Sequence, residues 1–360
     1  MATEEVEYKF SKRSSRWKLI LLLLVVALIG AVIICLNVGY APIDFSQILA
    51  ILGKQIPFLN GTISSSSIST VNAAIILQIR LPRVLAGAIV GAGLAAAGVM
   101  YQGVFRNPMA DSYLLGASAG ASLGYTLAVL FTGSSLLTVF GLGFYQAVAF
   151  VGAIITVFVV YFMSRVGNKV PITTLLLSGV VVNVFILAVQ TVFELRSGKA
   201  LVGIVAWIAG GFTNITWTHI YAVFPFVLAG TIVAYFFTRD LNMLAMGDDT
   251  AQHLGVNTER VRQILLVISS LITAACVSIS GVIGFVGLII PHMTRLIIGP
   301  DHRILLPTSA IVGAIFLIAC DSVARVATGA NELPVGVITA LAGTPVFIYL
   351  LRKRKTSYSL

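Results

Sequence analysis

The sequence predicts an all-α, polytopic membrane protein with about ten transmembrane helices, and three observations carry that prediction. The 360 residues are 58% hydrophobic and only 10% charged, whereas soluble domains average about 25% charged residues. Mean hydropathy is +1.01. Apolar runs of about 20 residues, the length that crosses a bilayer, recur along the chain, separated by short polar turns.

Taken in order, a short polar tail (1–18) leads into the first run, 19–38. That run is longer than a signal-peptide core and no small-residue cleavage site follows Cys35, so it is expected to stay as a span. An outer loop, 39–79, is rich in Ser and Ile, and Ser64 to Ser67 look flexible. Spans follow at 83–104, 113–132, 144–163, 173–194, 219–237, 262–280, 282–298, 305–321 and 334–351. The stretch 200–212 is apolar but too short to cross alone, and reads as re-entrant or interfacial. A single domain over 19–352 and a second tail, 353–360, complete the organisation. Gly87 and Gly91, and Gly116, Gly120 and Gly124, repeat at four-residue spacing, which lets helix backbones approach closely in lipid.

Charge sets the orientation. Of 23 Lys and Arg residues, only Lys54, Arg80, Arg83, Arg196, Lys199 and Arg325 fall on the outer side if the N-terminus is inside. The positive-inside rule therefore puts both termini in the cytoplasm. The net charge of +10 is topology, not nucleic-acid affinity. Cys35, Cys276 and Cys320 lie in apolar runs and make neither a disulfide framework nor a metal site, and the four histidines have no paired ligand spacing.

Residues 241–256 form a polar island between apolar segments, with two helix-like pieces too short to span, broken at Gly247 and stopped at Gly255. Asp248 and Asp249 are placed to cap the second piece. No nucleotide-binding motif occurs in the chain, so the island is read as receiving mechanical work from a separate ATPase. Arg80-Leu81-Pro82-Arg83 opens the second span at its outer end, with Pro82 suited to a first helical turn. Its arginines either snorkel to headgroups or pair with a partner's carboxylates. Gln102, Asn107 and Asp111 surround the first inner turn, where they serve as caps or as a constriction of a path. Asp321, four residues before Arg325, favours a helical ion pair.

Together these segments resemble the FecCD family, permease subunits of type II ABC importers for ferric siderophores, haem and vitamin B12. The resemblance runs from about Arg80 to the C-terminus. It rests on Arg-Leu-Pro-Arg at 80–83, Gln102 with Arg-Asn-Pro-Met-Ala-Asp at 106–111, Leu-Gly-Ala-Ser-Ala-Gly-Ala at 115–121 and Trp207 with Gly210-Gly211. It continues through Asn-Met-Leu-Ala-Met-Gly at 242–247, Ala251 with Leu254-Gly255, Gly-Phe-Val-Gly-Leu-Ile-Ile-Pro-His at 284–292, Asp301-His302-Arg303, Asp321 to Arg325 and Glu-Leu-Pro-Val-Gly-Val at 332–337. Ser112 stands where a proline is usual, which implies a looser turn.

The resemblance implies a homodimeric pore in the cytoplasmic (inner) cell membrane, with two ATPase subunits on the cytoplasmic side and an extracytoplasmic substrate-binding protein. Coupling to the ATPase falls on Met246, Gly247, Asp248, Asp249, Thr250, Ala251, Leu254 and Gly255, and binding-protein docking on Arg80, Arg83 and Arg325. The inner gate and path fall on Gln102, Asn107, Met109, Ile172 and Thr173. The chain itself carries no catalytic residue, metal or cofactor; ATP and Mg bind the partner ATPase. The implied cargo is a metal chelate, a ferric siderophore first, then cobalamin or haem. The rival readings are an ion-coupled secondary transporter, which lacks the mid-span charges it needs, and an intramembrane enzyme, which lacks a nucleophile or metal constellation.

Overall fold

In the computed structural model, residues 2–39, 41–56, 69–132, 138–139, 142–167, 170–329 and 332–355 are described. Among these, seven helices are long and apolar enough to cross a membrane. Ser64 to Ser67 lie outside the described residues.

The first helix, α1 (Ala2–Asn37), begins well before the apolar run at 19. A short α2 (Phe45–Lys54) then packs Ile48 and Ile51 onto Leu36 and Ile76. The next span begins earlier than the sequence suggests. A short α3 (Thr70–Ala74) passes into a π-helical turn at Ile75–Arg80 and on into α4 (Leu81–Val104). The motif at 80–83 therefore sits inside a continuous helix of 35 residues, Thr70–Val104, and does not open it. Pro82 gives the reason: proline cannot donate to the carbonyl four residues back and its ring crowds that carbonyl, so the ladder re-registers through a π turn.

Helix α4 is the axis of the bundle. Its most apolar window is 78% buried, and small residues allow this. A Cβ on Gly91 would meet the Gly313 carbonyl oxygen at 2.3 Å, and one on Gly98 would meet the Gly287 oxygen at 1.9 Å. Both predicted glycine series mark close approaches. The second repeats the device between α5 (Ala117–Thr132) and α6 (Phe144–Ser164), where a Gly120 Cβ would lie 2.4 Å from the Gly152 oxygen. A two-residue ladder, β1 (Thr138–Val139) with β2 (Leu142–Gly143), precedes α6.

Helix α7 (Ile172–Arg196) is apolar on nearly every face and only 28% buried in its most apolar window. A 3₁₀ turn (Gly198–Ala200) and short α8 (Leu201–Ile208) occupy the stretch read as re-entrant. After α9 (Trp217–Phe236) come α10 (Thr238–Leu244) and α11 (Asp248–His253), then α12 (Thr258–Ser280). Helix α13 (Val286–Ile298) is 13 residues long, about 20 Å, short of a ~30 Å hydrocarbon core. Helices α14 (His302–Val326) and α15 (Val335–Lys355) close the chain.

Two predicted spans are shorter than expected, for local reasons. Gly116 takes φ +80, so 113–116 form a turn and α5 starts at Ala117. Residues 281–285 are non-helical, with Phe285 at φ +71. Non-helical backbone at membrane depth needs protein partners. Tyr113 supplies them, its hydroxyl donating to the Ile283 oxygen (2.8 Å) and accepting from the Ile283 amide (3.0 Å).

Candidate functional site

The polar island folds as α10 and α11 joined at Gly247. That residue adopts φ +112, ψ 154, and a Cβ there would touch nothing within 4 Å. Glycine is thus required for conformation, not for space. Gly255 takes φ +88 just after the α11 C-cap at Leu254, which ends the helix as expected. The two aspartates act otherwise than expected. Neither makes a side-chain cap; the N-cap is Gly247 and both lie in the first turn. Asp248 is drawn away by arginines: Arg262 Nη2 donates to its Oδ1 at 2.6 Å, and Arg106 Nη2 lies 3.5 Å from the same oxygen.

The island divides into two mechanical halves. Helix α10 buries Leu241 and Leu244 completely; Leu241 faces Gly103 of α4. Asn242 ties this half to the turn before α14. Its Nδ2 donates to Asp301 Oδ1 (2.9 Å), and its Oδ1 accepts from the His302 amide (2.9 Å) and contacts His302 Nδ1 (2.7 Å). An amide oxygen only accepts, so His302 Nδ1 carries the proton. Asp301 also accepts from Arg303 Nη2 (2.7 Å) and Nε (3.0 Å), and the Arg303 guanidinium lies over the Trp17 ring of α1 at 5.5 Å. Partial burial would raise the Asp301 carboxyl, but the donors from Arg303 and Asn242 win and hold it far below the usual carboxylate range. The other half, α11, buries only Ala251 and is tied to α12 and the α4–α5 turn through Asp248. Met246 (67% exposed) and Leu254 (57%) project from a loop outside the spans.

The first inner turn is built tightly. Arg106 takes φ +48, the Asn107 side chain accepts from the Met109 amide (3.0 Å), and the Ala110 amide donates to the Asn107 oxygen. Gln102, buried, donates to the Leu288 oxygen at 3.0 Å, bracing α13 against α4. Asp111 accepts from the Ser112 amide and hydroxyl, and burial outweighs these donors to push its carboxyl up. Ser112, at the position where a looser turn was expected, is therefore bonded in. Met109 is partly exposed, Ile172 half-buried and Thr173 exposed at the start of α7. Glu259 accepts from the Val170 amide and fixes the loop before α7 to α12.

At the outer end the three arginines are buried, and Arg80 and Arg83 neither snorkel to headgroups nor stand open to a partner as the sequence leaves possible. Arg80, Arg83 and Arg325 are 5%, 7% and 6% exposed. Arg83 donates through Nε (3.0 Å) and Nη2 (2.9 Å) to Asp321 and through Nη1 to Glu332 (2.8 Å). Asp321 also pairs with Arg325 Nε at 3.1 Å, the helical pair expected from their spacing. Arg325 further donates to the carbonyls of Val38 and Cys35, and Arg80 to those of Leu36 and Ala41. The last carbonyls of a helix have no partner within it; here two arginines from other helices supply one to α1. The Arg83–Asp321 pair joins residues 238 apart, and nothing in the local sequence announces it.

The Trp207 and Gly210-Gly211 signature is also a packing device. Trp207 stacks on Tyr125 at 4.0 Å and 3°. Gly210, at φ +78, lets the chain approach the Val282 oxygen, while its own carbonyl accepts from the Val335 amide.

Comparison with known proteins agrees with this architecture. The FecCD transport family matches residues 20–353. A cobalamin import system permease of Halobacterium salinarum is 44% identical over 281 residues, 78% of this chain and 74% of that one. A hemin transport system permease of Yersinia pestis is 36% identical over 286 residues, 79% of this chain and 84% of that one. Among solved structures, a metal-chelate type ABC transporter in an inward-facing conformation matches at 30% identity with a TM-score of 0.77, covering 93% of this chain and 99% of that one.

Proposed function

The chain belongs to the FecCD transport family, and from that membership we propose how its parts work. It is the permease subunit of an ABC importer, a multi-pass membrane protein that works with separate ATPase subunits and a substrate-binding protein, and ATP hydrolysis resides in the ATPase. We infer that two copies enclose the path, that the chain lies in the cytoplasmic membrane, and that both termini are cytoplasmic. The excess of inward basic residues supports the last of these.

One observation carries the coupling proposal: the two short helices are anchored to different parts of the bundle across a glycine joint. Met246 and Leu254 offer an apolar tip to the ATPase. Motion of that tip reaches α14 and α1 through Asn242, Asp301 and Arg303, and reaches α12 and the α4–α5 turn through Asp248. The second branch ends at Asn107 and Met109, and Glu259 extends it to the loop before Ile172 and Thr173. We propose these as the inner gate, closed against the second copy.

For docking, we propose that the buried arginines act through exchange. Glu332, the most exposed member of the outer cluster with 34% of its side chain accessible, yields its place on Arg83 to a carboxylate of the binding protein. Arg80 and Arg325 hold the surrounding frame.

The cargo we propose is a metal chelate. The 44% identity to a cobalamin permease makes cobalamin the first to test, ahead of the ferric siderophore that the family resemblance put first. The test is reconstitution with the ATPase and binding protein encoded nearby, and uptake of cobalamin, haem and a ferric siderophore into vesicles. ATP-dependent accumulation of one of them supports the reading. A chain that neither binds an ATPase nor accumulates any chelate refutes it.

A further inference from the structure

A cleft of about 550 Å³ opens between α6 and α12. Its walls are apolar: Val157, Phe158 and Tyr161 on one side, Ile264, Val267 and Leu271 on the other. Phe158 is 55% exposed and Val267 60%, so the cleft faces outward from the bundle. Helix α12 runs from the inner island to the outer side, which sets the cleft at the inner half of the membrane. Its α12 wall covers residues 263–271, about 12 Å of helix. One leaflet of a ~30 Å hydrocarbon core is about 15 Å deep, so the cleft has the length of the buried part of one acyl chain.

The inner mouth carries charge. Arg260 is exposed and lies one turn before Gln263 and Ile264 on the same face of α12. Arg165, also exposed, follows Tyr161 by four residues at the end of α6 and donates to the Gly167 oxygen. Two guanidinium groups thus stand at the headgroup level above an apolar slot of leaflet depth. Neither the coupling network nor the outer cluster uses them.

We propose that this cleft is a binding site for an anionic phospholipid of the inner leaflet, with one acyl chain between α6 and α12 and the phosphate against Arg165 and Arg260. Basic pockets between membrane helices on the cytoplasmic side bind anionic headgroups in this way. Zwitterionic lipid fills the slot equally well but brings no net negative charge to the two arginines.

The test uses the full-length chain in detergent, titrated with phosphatidylglycerol or phosphatidylcholine, and scores bound lipid by native mass spectrometry and thermal stability by fluorescence. Phosphatidylglycerol is expected to bind saturably, one per chain, and to raise the melting temperature. The pair Arg165→Gln and Arg260→Gln should weaken that binding about 30-fold, since each charge near the surface adds roughly a factor of five. Val267→Trp, which fills the slot and keeps the charges, should abolish retention of the lipid. Arg196→Gln, on the outer side, serves as control and should change nothing. Equal retention of both lipids, or full binding by the double variant, overturns the proposal. So does a disulfide between two Val267→Cys chains in membranes, which would put a second copy in the cleft.

Discussion

Arg83→Met in the isolated permease tests the outer cluster most sharply. Asp321 is 1% exposed and accepts from two nitrogens of Arg83, Nη2 at 2.9 Å and Nε at 3.0 and 3.2 Å. Removing one partner of a buried ion pair costs about 3–5 kcal/mol, because the other charge is left in a dry site. Asp321 keeps Arg325 Nε at 3.1 Å, and Glu332 is partly solvated, so the cost falls near the low end, about 3 kcal/mol. Asp321→Asn leaves Glu332 as the one carboxylate on Arg83 and should cost a similar amount. The double variant should cost less than the two losses combined, with a coupling energy of about 2 kcal/mol, within the range seen for residues in contact. The assay is equilibrium unfolding in mixed micelles with no binding protein present. Single losses below about 1 kcal/mol, together with weakened docking, would show that Arg83 works outward and would refute the buried-pair reasoning.

Three further outcomes follow from geometry. Gly98→Ala puts a methyl 1.9 Å from the Gly287 carbonyl oxygen; this is backbone against backbone, so α4 and α13 must part, and melting in detergent should show a loss of about 1–3 kcal/mol or more. Gly247→Ala meets no atom within 4 Å but must hold φ +112; it should fold with only about 1–3 kcal/mol of local strain and show reduced uptake per ATP hydrolysed. Asp301 has a depressed pKa in the folded state, so its contribution is fully present above the ordinary carboxylate pKa and is lost only as pH falls through the folded value. The stability loss of Asp301→Asn, measured by thermal melts, should therefore be constant between about pH 5 and 8.

Much of this architecture is legible in sequence because lipid demands long apolar runs and small-residue spacing. The runs at 144–163, 173–194 and 219–237 fall on α6, α7 and α9, and the glycine series falls on true close approaches. The island at 241–256 is equally plain, since Gly247 and Gly255 break and end it by backbone conformation. What escaped depends on contacts distant in the chain or on register. The π turn at Ile75–Arg80 absorbs Pro82 within a helix, where a proline more simply suggests a start. Asp248 looks like a cap until Arg262 and Arg106 are seen beside it. Arg80 looks outward-facing in sequence, yet the carbonyls at the end of α1 draw it in.

The central claim is that the loop around Gly247 carries the work of the ATPase into the bundle. The direct measurement is ATP-driven uptake in proteoliposomes by a permease whose residues 249–255 are replaced with a flexible Gly-Ser linker. Only Ala251 of α11 is buried, so the variant should fold and reach the membrane normally. Its uptake should fall to background. Uptake at the wild-type rate from a correctly folded variant would contradict the account.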